Sequence, residues 1–278
     1  MARAPTLPTA LHQRAADAIV AFFRTQPHVD AVLLVNSCAR GTATPDSDLD
    51  VAVLVAPTLT APDRTALEAP WQQVYATDGV FHALRQGGRF TGVHLDLFDG
   101  QFAAERWDDG GGPDDFELAI GNQVAYSVPL WEGTAALATL RATWLPYYPL
   151  TLQQERLAMV HDACHHDLEH VPFFVARGLY FQAFDRLYKA FQEFLQALFI
   201  ARRTYPVAYN KWIREQVEGR LGLPELYRQL PAVLELGRLE GDEVERNARA
   251  LHRLLDDWVV LRPSGRAGEA RSGDQAIP

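Results

Sequence analysis

The sequence predicts an α+β protein in which a mixed β-sheet region is followed by an all-α helical bundle. Two observations carry this prediction. Up to about residue 133, short apolar runs of strand composition alternate with helical patterns and turn residues. From residue 134 onward, apolar residues recur at helical spacing over long segments. We therefore expect one domain over residues 1–133 and a helical domain over residues 134–262, with the Gly-, Ser- and Arg-rich residues 263–278 disordered.

The first helix and the first strand lead into a tight turn. Residues 10–25 have apolar side chains at helical spacing, and Thr9 is a suitable N-cap. The apolar run over residues 31–35 predicts a strand, which stops at the turn-forming pair Asn36 and Ser37. A short helix start and a polar loop then lead to the second strand.

Two aspartates open the second strand, residues 48–55. Because side chains alternate faces along a strand, Asp48 and Asp50 point together to one face. The apolar residues on the opposite face are Leu49, Val51, Val53 and Val55. Two neighbouring carboxylates repel each other unless a cation lies between them. The pattern therefore indicates a divalent metal ion.

A later strand carries a further carboxylate. In the strand predicted over residues 90–98, His94 and Asp96 share one face, and Asp99 follows closely. The other elements of this half are a helix over residues 58–76, a Gly-rich acidic loop over 107–115, a short helix over 116–123 and a strand over 125–131.

The second half is predicted to consist of helices. The strongest pattern covers residues 173–203, where an apolar stripe indicates bundle core rather than a ligand site. The other predicted helices cover residues 152–168, 210–218, 225–236 and 242–261. Four histidines in the first of these segments, His161, His165, His166 and His170, suggest a metal cluster, but a solvated or domain-facing helix surface is favoured.

Composition excludes several function classes. The 278 residues are 48% hydrophobic with a formal net charge of −9, so bulk charge does not favour binding of long nucleic acids. Two cysteines do not make a disulfide framework and suit a reducing compartment. The sequence shows no signal-peptide pattern and no apolar run of membrane-spanning length. We expect a cytoplasmic protein; the oligomeric state is left open.

The segments NSCARG (residues 36–41) and DSDLD (residues 46–50) together carry a family resemblance. They resemble the Gly-Ser, Arg-Gly and Ser-Asp-hydrophobic-Asp motif of the DNA polymerase β-like nucleotidyltransferase superfamily. The departure is Asn36, where the family has glycine, although Asn also tolerates unusual backbone angles. The resemblance implies a mixed-sheet catalytic core that transfers a nucleoside monophosphate and releases pyrophosphate.

The resemblance also implies roles for individual residues. Asp48 and Asp50 would hold two Mg²⁺ ions, with Asp96 as the third carboxylate beside the acceptor hydroxyl. Ser37 at the turn would bind the phosphates of ATP or another nucleoside triphosphate. Arg40 is expected to brace the loop, although a ligand-binding role stays open.

The helical half is similar to the domains behind such cores in antibiotic-modifying bacterial nucleotidyltransferases. There it closes the cleft and supplies basic residues, for which Lys211 is the first choice and Arg177 the second; a surface salt bridge is the alternative for each. The expected reaction moves AMP from ATP to a hydroxyl of a small molecule, such as an aminoglycoside- or lincosamide-like compound. Two alternatives stay open: an antitoxin-type enzyme that modifies a protein, and an inactive relative that only binds nucleotide or a partner.

Overall fold

A four-stranded mixed sheet forms the centre of the first half. The computed structural model describes residues 7–104 and 112–261. The strands are β1 (Val29–Leu34), β2 (Leu49–Val55), β3 (Val93–Phe98) and β4 (Val128–Glu132), in the spatial order β3-β2-β1-β4. β1 pairs antiparallel with β2 and β4, whereas β2 and β3 are parallel. The predicted α+β class and mixed sheet are confirmed.

Ten α-helices surround or follow the sheet in the described residues. None of them is long and apolar enough to cross a bilayer. They are α1 (Ala10–Phe23), α2 (Asn36–Arg40), α3 (Ala61–Thr77), α4 (Gly79–Gln86), α5 (Phe116–Ile120), α6 (Ala136–Trp144), α7 (Leu150–Ala176), α8 (Tyr180–Ala201), α9 (Pro224–Tyr227) and α10 (Glu243–Trp258). The described residues also form two π-helical turns, Gly121–Ala125 and Glu215–Arg220, and one 3₁₀ turn, Pro231–Val233.

Both faces of β2 are covered by apolar side chains. The face of Leu49 and Val51 packs against α1 and the α3–α4 pair, as the alternation predicts. On the opposite face Ala52 and Leu54 pack against Leu137 of α6. All seven residues of the strand are therefore buried, which holds its leading end in place.

Several predicted boundaries in the helices are wrong. The helix predicted over residues 173–203 begins only at Tyr180, because α7 continues through Pro172 and the chain then turns at Gly178, whose φ is 69°. The helices predicted over 210–218 and 225–236 are instead short π, α and 3₁₀ turns.

Two helices, α4 and α6, were not predicted. Asp78 ends α3 and at once caps α4 through its side chain, so no loop separates the two helices. Part of the predicted acidic loop and the predicted disordered tail (residues 263–278) lie outside the described residues. The domain boundary near residue 134 stays a prediction.

A buried ionic network joins α5 to the helical half. Arg156 of α7, 3% exposed, donates to both carboxylate oxygens of Glu117 and to Asp114 at 2.7–2.9 Å. Gln196 of α8 and the Tyr148 hydroxyl also donate to Glu117. Burial alone would lower the pKa of Arg156, but the two carboxylates outweigh it and raise that pKa. Every carboxylate oxygen of Glu117 thus has a donor.

We expect Arg156→Met to lower the free energy of unfolding by about 3–5 kcal/mol, because it leaves the fully buried Glu117 without its charged partner. Urea unfolding measures the change. The control is Arg249→Met, which removes an arginine from the exposed pair with Glu245 and should cost no more than about 1 kcal/mol. Equal effects of the two substitutions would contradict a stabilising role for the network.

Candidate active site

Parallel pairing of β2 with β3 gathers the acidic residues on one face of the sheet. Asp50 is paired in register with His94, and Ala52 with Asp96. Residues paired in register point to the same side, and alternate residues of one strand do so too. Asp50, His94 and Asp96 therefore share one face, and Asp48 directly precedes β2.

His94 lies between two of the carboxylates. Its Nδ1 is 3.4 Å from Oδ1 of Asp50, and its Nε2 is 3.8 Å from Oδ1 of Asp96. Asp50 is only 6% exposed, whereas the Asp96 side chain is 60% exposed. One carboxylate is thus embedded in the sheet and the other is open to an incoming molecule. The sequence placed His94 on the correct face but gave no signal for this contact, which depends on the strand register.

The electrostatics of the site are dominated by burial and by like charges. Burial, and then the charge of Asp48, raise the pKa of Asp50, while hydrogen bonds from Asn36 and His94 lower it less. Burial and the same two aspartates raise the pKa of the Cys38 thiol to about 12. Cys38 is therefore a protonated thiol at neutral pH, which agrees with its interpretation as a packing residue.

The turn after β1 has a left-handed residue at Asn36, the position where the family motif has glycine. Asn36 has φ of 52°, in the left-handed region where Asn is tolerated better than most residues. The Val35 amide donates to the carbonyl of Asp50, which ties the turn to β2. Asn36 therefore accommodates the left-handed turn and places its side-chain amide beside the carboxylate of Asp50.

His12 of α1 braces the loop before Asp48. Its Nδ1 lies 2.7 Å from the Thr9 hydroxyl, and its Nε2 donates to the carbonyl of Ser47 at 2.9 Å. The ring is 1% exposed, so this contact is shielded from water. The sequence could not reveal it, because the two residues lie 35 positions apart.

Arg40 connects the turn to the second half of the chain. Its side chain is 6% exposed, pairs with Glu215 at 3.3 Å and lies over the Trp212 ring. Burial lowers the pKa of Arg40 more than Glu215 raises it. These contacts agree with a bracing role, and they extend it from the loop to the junction between the two halves.

A cavity of about 490 Å³ lies between the turn and the helical half. Asn36 lines it on one side, and Lys189 and Lys211 line it on the other. Asp115, Asn122, Gln192 and Asn210 add polar groups to its wall. Arg177, by contrast, is not among the lining residues and lies over the Phe173 ring near the end of α7. The two basic candidates from the sequence are therefore in different places.

The donor set at the acidic face fits Mg²⁺. Asp48, Asp50 and Asp96 offer carboxylate oxygens only, which hard divalent cations prefer. The raised pKa of Asp50 reflects a negative charge that a cation would stabilise. These residues fit the ions that the family motif implies.

Part of the chain matches a known protein family. Residues 17–80 match the model of the nucleotidyltransferase domain family. No curated protein is significantly similar to the chain.

The solved structures that resemble this chain include two with low sequence identity and low TM-scores. One, a toxin–antitoxin solved with AMP-PNP, has 22% identity and a TM-score of 0.34, covering 53% of this chain and 96% of its own. The other, a nucleotidyltransferase-like protein from Exiguobacterium sibiricum 255-15, has 13% identity and a TM-score of 0.44, covering 88% of this chain and 74% of its own.

The assignment rests on the domain match rather than on these two likenesses. The matched segment contains the Asn36 turn and both aspartates of the β2 motif. The chain therefore contains a nucleotidyltransferase domain, matched over residues 17–80, of the kind found in the DNA polymerase β-like superfamily.

Proposed function

We propose that the protein transfers AMP from ATP to a hydroxyl of a small molecule and releases pyrophosphate. The observation that carries the proposal is the cavity shared by Asn36, at the turn before the acidic strand, and Lys211, from the helical half. Its volume lies within the range of small-molecule sites, about 300–1,000 Å³. A nucleotide there would lie between carboxylates that suit metal ions and a lysine that suits phosphate.

The three aspartates are proposed to have different roles. Asp48 and Asp50 would hold the Mg²⁺ ions, and Asp96 would complete the set. When bound, Mg²⁺ neutralises phosphate charge and stabilises the attacking and leaving oxygens. Asp96, open to solvent beside His94, can accept the proton of an acceptor hydroxyl.

Cationic and polar side chains of the cavity would orient the triphosphate. Lys211 is exposed on its wall, and Lys189, which pairs with Asp185 at 3.0 Å, lies on the same wall. A lysine ammonium binds phosphate as a point charge and needs no fixed geometry. Ser37, next to Asn36 at the turn, would add a hydroxyl toward the phosphates.

The acceptor is proposed to be a cationic, hydroxyl-bearing compound of aminoglycoside or lincosamide type. Asp115 and four amide side chains line the cavity, and the chain has a net charge of −9. A negative surface raises the local concentration of cations. Modification of a protein hydroxyl uses the same chemistry, so the test must separate the two acceptors.

The test is a pyrophosphate-release assay with Mg²⁺, a set of nucleoside triphosphates and a set of aminoglycoside and lincosamide acceptors. In parallel, α-labelled ATP is incubated with the enzyme and cell lysate. Label on a small molecule supports the proposal, whereas label on a protein favours the antitoxin-type alternative. Nucleotide binding without pyrophosphate release would identify an inactive relative.

Asp48→Asn and Asp50→Asn should each lower kcat/KM by at least about 10³-fold, because metal-ion stabilisation of the transferred phosphate is worth several kcal/mol. Asp96→Asn should cause a comparable loss. The matched controls are Asp46→Asn, in the exposed loop, and Asp99→Asn. The Asp99 carboxylate accepts a hydrogen bond from the backbone N–H of Gln101. Both controls should retain activity; full activity of an Asp48 or Asp50 variant would refute the mechanism.

Lys211→Met should raise KM for the nucleotide by about tenfold and change kcat less, because a hydrogen bond to a charged group contributes about 1.5–3 kcal/mol. Arg177→Met, which removes the other basic candidate, should leave KM unchanged. Steady-state kinetics at saturating acceptor measures both. A larger effect at Arg177 than at Lys211 would show that the cavity is not the triphosphate site.

Asp50→Asn should raise the melting temperature of the metal-free protein at neutral pH. The folded-state pKa of Asp50 is raised, so its ionised form costs stability above that pKa, and the asparagine removes this cost. As pH falls through the folded pKa, Asp50 becomes protonated and the difference should shrink. Thermal unfolding across pH measures it, with Asp46→Asn as a control that should show no gain.

A further inference from the structure

Two neighbouring helices of the bundle bring histidines and a carboxylate together, away from the acidic face of the sheet. His161 and His165 lie one turn apart on α7, and His252 and Asp256 lie one turn apart on α10. Side chains four residues apart on a helix share a face. The sequence showed the α7 pair but not its partners, which lie about 90 residues later.

The contacts between these side chains are close. Nε2 of His252 is 2.8 Å from Nδ1 of His165, and the two rings are nearly perpendicular. Ligand atoms of His165, His252 and Asp256 all lie within 4.8 Å of one another. In the described residues this is the only such group of three, whereas the three aspartates of the sheet are not gathered so closely.

A simple hydrogen bond between two histidines explains only part of this arrangement. It leaves Nδ1 of His161 buried and without a hydrogen-bond partner among the described residues, with Oδ1 of Asp162 4.0 Å away. The His161 ring is 4.6 Å from the His165 ring. A buried polar atom without a partner costs about 1–3 kcal/mol, so a missing ligand is one explanation for it.

Acidic side chains and a second cavity lie next to the cluster. A second cavity, of about 210 Å³, borders His252 and is also lined by Glu169, Glu245 and Arg249. The negative charges of Asp162 and Asp256 also act on His161. Neutral imidazoles and a carboxylate among acidic neighbours are typical ligands of a divalent transition metal.

We propose that His165, His252 and Asp256 bind a divalent transition-metal ion of the Zn²⁺ class, with His161 as the nearest candidate for a fourth ligand. Two nitrogens on one tetrahedral ion lie about 3.4 Å apart, given bonds of about 2.1 Å. The separation between Nδ1 of His165 and Nε2 of His252, now 2.8 Å, would therefore increase by about 0.6 Å. The ion would tie α10 to α7, a role separate from nucleotidyl transfer.

The experiment titrates tag-free, metal-depleted full-length protein with Zn²⁺ by calorimetry. An Asp48→Asn Asp50→Asn background removes Zn²⁺ binding at the acidic face. We expect one Zn²⁺ per chain, a higher melting temperature with Zn²⁺ than with EDTA, and visible absorption bands of a four-coordinate site with Co²⁺ as probe.

Three variants test the ligands in that background. His165→Gln, His252→Gln and Asp256→Asn should each weaken Zn²⁺ binding by at least about tenfold. His82→Gln, which removes an exposed histidine on α4, is the matched control and should bind as before. Asp256 is exposed, so its variant should fold even if a histidine variant does not.

Two outcomes would overturn the proposal. One is the absence of stoichiometric Zn²⁺ binding by the parent protein. The other is unchanged affinity and an unchanged Co²⁺ spectrum in the Asp256→Asn variant and in whichever histidine variants fold in EDTA.

Discussion

The burial of the Asp50 carboxylate next to a second carboxylate, Asp48, is the constraint on which the rest of the site depends. Asp50 is buried beside the exposed Asp48, an arrangement that costs free energy unless partners are supplied. The structure supplies an amide from the unusual Asn36 turn and an imidazole from β3. The turn and the strand register each place a hydrogen-bonding group beside the Asp50 carboxylate, and the proposed metal ions would neutralise its charge.

Rigid connections hold the cavity wall opposite these carboxylates. Glu117, at the centre of the buried ionic network, lies on α5, the same short helix that contributes Leu118 to the cavity. At Gly121 an added Cβ would collide with the carbonyl oxygen of Pro206, so only glycine allows this close approach of the two halves. Arg40 adds a second connection through Glu215 and Trp212. Preorganised walls of this kind position reactants without further ordering.

Local patterns predicted the elements where one signal dominated. Thr9 caps α1 as its side chain predicted, and apolar alternation predicted β2. Predictions failed where tertiary contacts overrode local signals. Pro172 lies inside α7, which packs along α8, and the short turns after residue 210 follow no regular period. A single sequence carries no information on such packing.

The sequence by itself determined the chemistry of the candidate site: the residue types of the turn, the two aspartates on one face of a strand, and the third carboxylate on a later strand. The shared face of the two aspartates follows from strand periodicity, whereas the roles of the turn and of the third carboxylate follow from the family resemblance. Only the tertiary structure decided which groups meet. The β2–β3 register set His94 between Asp50 and Asp96, chain folding separated Lys211 from Arg177, and helix packing brought His252 to His165. Such contacts join residues far apart in sequence, and their geometry is set by packing of the whole chain.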